Sequence, residues 1–169
     1  MAELKSLTAR EGISKLKDLA EGIGVCMFCT ELTQLPISTR PMAVQEVDEY
    51  GNLWFISSSD SNKNFEIKED NRVQLFFAKV SESTYLSVYG TATIYRDREK
   101  IEELWQPIAK AWFEEGSEDP KVTVIRVAAS DAYYWDTKDG KLISLVKMAA
   151  AVIIGKGGDD GGIEGEIKI

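Results

Sequence analysis

The chain contains no histidine. A Ser-His-Asp or Cys-His arrangement therefore cannot be built, and neither can a histidine-based metal centre or proton shuttle. Cysteine is almost as scarce, with Cys26 and Cys29 both inside the apolar run VCMFCT. A C-x-x-C spacing can signal a redox dithiol or half of a zinc site. Without a second cysteine pair or any histidine, zinc lacks ligands. On a strand the two positions also fall on opposite faces, because side chains alternate. The expectation is two reduced, largely buried thiols in a reducing compartment, with no metal and a cytoplasmic location.

Positive charge is in short supply as well. Lys and Arg number 20 against 28 Asp and Glu, giving a net charge of −8. Duplex DNA binders draw their affinity from neutralising phosphates, so nucleic acid is not an expected partner. A pocket for a single phosphate needs only one or two cations and stays possible. Long apolar runs are missing too: nothing approaches the roughly 18 uninterrupted apolar residues of a membrane span. The opening MAELKSLTAREGISKLKDLAEGIG is too charged for a secretory signal.

What is present fits one globular domain over residues 1–154, followed by a Gly- and acid-rich tail, 155–169 (GKGGDDGGIEGEIKI), expected to be mobile in its middle. Its glycines follow no strand, so they fail the context of a phosphate loop. Ile13, Leu16, Leu19 and Ala20 recur at helical spacing and predict a helix over 9–21, ended by Gly22 and Gly24. Runs rich in β-branched and aromatic residues predict strands at 25–32, 37–48, 52–58, 72–80, 84–96, 122–129 and 131–137. Asp48 to Asn52 reads as a hairpin turn, and Gly90 as a bulge or bend within its strand. A short helix capped by Asp60-Ser61 and a long helix over 97–115, capped by Asp97 and kinked at Pro107, complete the pattern. Residues 141–154 are ambiguous between helix and strand. The fold class is α+β: an antiparallel barrel of six or seven strands with peripheral helices, since closure removes exposed edges.

Two segments can carry chemistry. Ser38-Thr39-Arg40-Pro41-Met42 puts a proline inside a strand, and proline is tolerated only at an edge, an end or a bulge. The ladder is open there, and Arg40 offers a fork of donors to a phosphate or a polar heterocycle edge; a plain surface arginine is the other reading. In Ser57-Ser58-Ser59-Asp60-Ser61-Asn62-Lys63 a strand ends, hydroxyls cluster, and a helix begins with a lysine in its first turn. Free N–H groups and partial positive charge at a helix head suit an anion, although ordinary capping explains the same residues. Trp112-Phe113 is open between core, interface and a lid over a flat ring.

Taken in order, STRPM, then Gly-Asn-Leu-Trp-Phe, then Ser-x-Lys about twenty residues after the arginine resemble the split-barrel flavin proteins related to pyridoxamine 5′-phosphate oxidase. Leu104-Trp105, Ala111-Trp112-Phe113, Gly116, Asp119-Pro120 and Tyr134-Trp135-Asp136 are similar to the general stress protein branch of that family. The resemblance implies a split barrel working as a homodimer, with FMN (or FAD) in a groove between subunits. It implies that Arg40, Pro41, Met42 and Ala43 line the flavin, that Ser57, Ser61 and Lys63 hold its phosphate, that Ile56 and Asn62 belong to the same cofactor-binding site, and that Trp112 approaches the ring from the partner chain. Where the oxidase has a substrate-contacting lysine, this chain has Gln45; Asn62 replaces an arginine and Tyr85 a flavin-contacting glutamine. Lost cations weaken charge-assisted contacts to a phosphorylated substrate, so vitamin B6 oxidase activity is not expected. The implied function is a flavin-dependent oxidoreductase, with a non-catalytic flavin-binding stress protein, or a flavin-free barrel holding another anionic ligand, as alternatives.

Overall fold

The computed structural model describes residues 3–4, 9–137 and 162–167. Strand β1 (Glu3–Leu4) precedes helix α1 (Ala9–Ile23), whose apolar stripe buries Leu16, Leu19 and Ala20. The helix runs through Gly22 and stops at Gly24, whose φ of 84° would strain a residue carrying a Cβ. Strands β2 (Val25–Thr30), β3 (Ser38–Ala43), β4 (Glu46–Val47) and β5 (Asn52–Ser58) follow, so the predicted run 37–48 is broken at Val44 and Gln45. The turn into β5 is held by the Asp48 carboxylate, which accepts from the Tyr50 and Asn52 amides and from Trp54 Nε1.

Helix α2 (Asn62–Glu69) leads to β6 (Arg72–Lys79) and β7 (Thr84–Tyr95), then α3 (Arg98–Leu104). Asp97 caps α3 by accepting from the Lys100 amide, as its sequence position predicts. The helix does not reach residue 115. Proline disfavours helical geometry in the residue before it, and Trp105 and Gln106 are extended ahead of Pro107. Residues Pro107–Ala111 then form a separate 3-10 turn.

The two strands predicted at 122–129 and 131–137 are one, β8 (Val122–Thr137). Ala129 lies opposite Gly90 and Asp131 opposite Tyr89, which leaves Ser130 as the extra residue of a bulge. A Cβ at Gly90 would lie 2.2 Å from the Ala128 carbonyl oxygen, so the glycine serves close backbone approach, in line with the sequence reading. The end of the tail is structured: β9 (Gly162–Ile167) pairs with the second half of β8 and with β1. The ambiguous segment 141–154 and the middle of the tail lie outside the described residues.

Strands β4, β5, β8, β7, β6, β2 and β3 pair in that spatial order, antiparallel throughout. Strands β3 and β5 approach each other without pairing, so the barrel is split along that seam. This is the expected α+β split barrel, with β9 and β1 added at one side. Its interior is filled by Phe28, Leu53, Phe55, Leu75, Phe77 and Tyr134 among others. Outside β5 and β8 a second cluster gathers Ile101, Leu104, Phe113, Val122 and Val124 under α3. Cys26 and Cys29 are both buried and unbonded to each other. Burial, followed by the neighbouring Cys29, pushes the Cys26 thiol up to about 12, so it is inert as a thiolate. Among the described residues no helix is long and apolar enough to cross a membrane.

Candidate functional site

The seam brings together the two segments singled out in the sequence. Arg40 stands on β3, opposite Phe28 of β2. Its side chain reaches α2, where Nη2 donates to Glu66 Oε2 at 2.6 Å; Nη1 donates to Thr30 Oγ1 at 2.6 Å and to the Phe28 carbonyl at 3.4 Å. Thr30 Oγ1 in turn donates to Glu66 Oε2, and Ser38 Oγ donates more weakly to Glu66 Oε1. Burial opposes ionisation of Glu66, but the hydrogen bond from Thr30 and the Arg40 charge outweigh it and hold the carboxyl below its ordinary range.

Lys63 lies in the first turn of α2, half-buried, with Arg40 and Glu66 as its charged neighbours. Burial above all, then the Arg40 charge, lowers its ammonium's pKa, and Glu66 only partly offsets them. Among the described residues no ion pair or hydrogen bond takes up its Nζ. Ser61 occupies the N-cap position but leaves the helix head uncapped, its hydroxyl donating back to the Ser58 carbonyl at 2.7 Å. The capping expected of Asp60-Ser61 is therefore not made by a side chain. Ser57 is buried, and its hydroxyl donates to Asn64 Oδ1 at 2.7 Å. Asn64 Nδ2 donates to Thr123 Oγ1, which donates to the Ser57 carbonyl. Both hydroxyls thus donate inward, while Asn62 is exposed at the helix head.

The remaining β3 residues divide between the two faces. Met42 packs against the barrel interior, and Pro41 and Ala43 are exposed. Ile56 packs against the cluster under α3, so only its backbone faces neighbouring strands. Trp112 ends the 3-10 turn with 72% of its surface exposed, and no ring contact joins it to the corner within one chain. Gln45 donates its side-chain amide to the Ala43 carbonyl at 3.0 Å. A groove of about 680 Å³ beside α2 and β7 is lined by none of the expected site residues. Its buried polar groups, Asn64 and Thr123, are bonded to each other. Sequence reading missed Glu66, Thr30 and Asn64, whose partners lie on other elements; only the one-turn spacing of Lys63 and Glu66 hinted at them.

Residues 11–159 match the family model described as pyridoxamine 5′-phosphate oxidase like. The chain belongs to that family. Among oxidase-like proteins of known structure, it resembles general stress protein 26 from Jannaschia sp. CCS1 at TM-score 0.78 and 21% identity, over 96% of this chain and all of that one. The general stress FMN/FAD binding protein from Xanthomonas citri is 25% identical at TM-score 0.63, covering 76% of this chain and 90% of that one. Protein bli-3 from Neurospora crassa is 32% identical over 127 residues, 70% of this chain. The chain spans 61% of the length of that curated relative.

Proposed function

We propose that this oxidase-like protein binds FMN in the β3–β5 seam of a cytoplasmic homodimer and acts as a flavin-dependent oxidoreductase. One observation carries the reading: Lys63, a half-buried cation whose Nζ makes no ion pair or hydrogen bond among the described residues and whose carboxylate neighbour Glu66 is taken up by Arg40, sits at an uncapped helix head in a chain of net charge −8. A buried charge is costly unless paired, so such a corner is built for an anion supplied from outside. The residues fit a flavin phosphate: Lys63 and Arg40 supply charge, and the first-turn amides of α2 supply donors. The edge of β3 from Arg40 to Ala43 is open to a flat ring because Pro41 cannot extend a ladder. When bound, the flavin supplies hydride or electron transfer. The chain's own part is to bind, orient and exclude water.

Dimerisation is supported by the outer face of the sheet. Met27 stands opposite Phe76 and Tyr85 opposite Trp135, all exposed, in a strip continued by Tyr133. Contiguous exposed aromatics of this kind mark interaction sites, and a second copy of the chain is the occupant read here. Two unpaired cysteines support a reducing compartment. The non-catalytic reading draws on Gln45, which offers an amide bonded to the Ala43 carbonyl at the end of β3 in place of a charge for substrate.

The test is the visible absorbance of the purified protein, with mass spectrometry of whatever it releases, followed by anaerobic mixing with NADH or NADPH. FMN release and bleaching are expected. A colourless protein that does not change on adding FMN removes the cofactor assignment, and bound flavin that no reductant bleaches leaves only the binding role.

A further inference from the structure

The contacts around Arg40 use only part of its guanidinium. Thr30 Oγ1 and Glu66 Oε2, themselves 2.5 Å apart, take up the Nη1–Nη2 end, and the Phe28 carbonyl takes a further Nη1 hydrogen. Nε–H has no partner among the described residues and is not sealed from solvent. Arginine meets phosphates best with two parallel donors from one edge. With the end-on edge occupied, the side edge formed by Nε and the second Nη2 hydrogen is the remaining fork. The clamp draws on three elements: Thr30 from β2, Arg40 from β3 and Glu66 from α2. It therefore fixes the guanidinium relative to the helix that carries Lys63.

We propose that Glu66, assisted by Thr30, is the positioning residue that orients Arg40, presenting its Nε edge to the phosphate of the bound flavin. This rests on the flavin-phosphate reading of the corner. It also opposes simple charge counting, by which Glu66 is a competitor whose removal leaves the corner more positive and tightens anion binding. The two accounts differ in sign.

The experiment titrates FMN and riboflavin, which lacks the phosphate, into the full chain and into Glu66→Ala, Glu66→Gln and Thr30→Val. Glu66→Ala is expected to weaken FMN binding about tenfold, the size of one lost charge-assisted hydrogen bond, with riboflavin unchanged. Glu66→Gln keeps an acceptor for Nη2 and recovers most of the loss; Thr30→Val shows a smaller loss and carries the comparison if the alanine variant unfolds. Nitrogen relaxation of the Arg40 Nε–H in ligand-free protein provides a second readout. It is expected to report an ordered side chain in the parent and in Glu66→Gln, and a mobile one in Glu66→Ala. Tighter or unchanged FMN binding in Glu66→Ala overturns the proposal, as does an Arg40 equally ordered in that variant. Equal losses for FMN and riboflavin overturn it too, because they indicate a displaced α2. If the parent protein fails to distinguish FMN from riboflavin, the phosphate reading falls with this role, and the ligand-free relaxation separates that failure from failure of the clamp itself.

Discussion

Ser57 and Asn64 are joined by a buried hydrogen bond of 2.7 Å, the shortest link between the end of β5 and the helix that starts four residues later. Asn64 uses its amide nitrogen on Thr123 as well, so a single side chain ties α2 to both β5 and β8. The head of α2 is held in place from inside the barrel wall, leaving its outer side to Lys63. Replacing Asn64 with alanine removes the acceptor of the buried Ser57 hydroxyl, while Thr123 keeps its own bond to the Ser57 carbonyl. A loss of about 1–3 kcal/mol is expected, the cost of one orphaned buried group. Denaturant unfolding checks it, and a midpoint equal to the parent's would show that water replaces the amide at no cost.

Lys63→Ala removes the cation from the corner without touching this internal network. FMN affinity is expected to drop tenfold or more, from about 1.5–3 kcal/mol for a hydrogen bond to a charged group, while riboflavin affinity stays put. Fluorescence quenching titrations of the two ligands read the difference directly. Unchanged FMN affinity would place the phosphate elsewhere.

At the bulge, Gly90→Ala sets a methyl group 2.2 Å from the Ala128 carbonyl oxygen. Backbone, not a flexible side chain, has to give way. Destabilisation of more than about 2 kcal/mol is expected, at the upper end of overpacking costs. Thermal unfolding by circular dichroism measures it, and a melting point within error of the parent would mean that the bulge slides.

Acid stability follows from the carboxylates. Asp48 is pushed up by burial, but hydrogen bonds from Trp54, Asn52 and Tyr50 outweigh this and hold it below its ordinary value of 3.8; Glu66 and Asp136 are lowered on similar grounds. A depressed folded-state pKa gives stability that is fully present above the unfolded value and is lost as pH falls through the folded one. Stability should hold from neutrality down to the ordinary carboxylate range and decline below it. Asp48→Asn should flatten part of that decline. Parallel pH–stability curves for parent and variant would assign the acid transition to other groups.

Trp135→Glu places a charge in the exposed aromatic strip opposite Tyr85. Sedimentation velocity is expected to show the dimer giving way to monomer, with the far-ultraviolet spectrum unchanged because the ring is partly exposed and outside the barrel core. A parent that is already monomeric would dispose of the dimer.

Much of this architecture was legible in the residues themselves. Helix α1 announced itself by the spacing of Leu16, Leu19 and Ala20, and Gly90 by interrupting an otherwise unbroken strand run. The long-helix reading failed at Pro107 because periodicity continued through Trp112 while backbone geometry did not. Strand β8 was split at Ser130 in the reading, and that residue proves to be the extra residue of a bulge within one continuous strand. The corner was half legible: strand arginine, hydroxyl cluster and first-turn lysine are local signals. Glu66 and Asn64 were not, because their partners Arg40 and Thr123 lie 26 and 59 residues away. No periodicity encodes a pairing of that kind.

The unpaired margin of β3 has a kinetic corollary. Amides along it are not locked into a ladder with β5, so they can trade hydrogen for deuterium with no need for the whole chain to unfold. Whatever settles into the gap would slow those few amides first, before any shift in melting temperature. Mass-resolved exchange of the peptide spanning Ser38 to Ala43 would serve as an occupancy gauge, even for a ligand that has no colour.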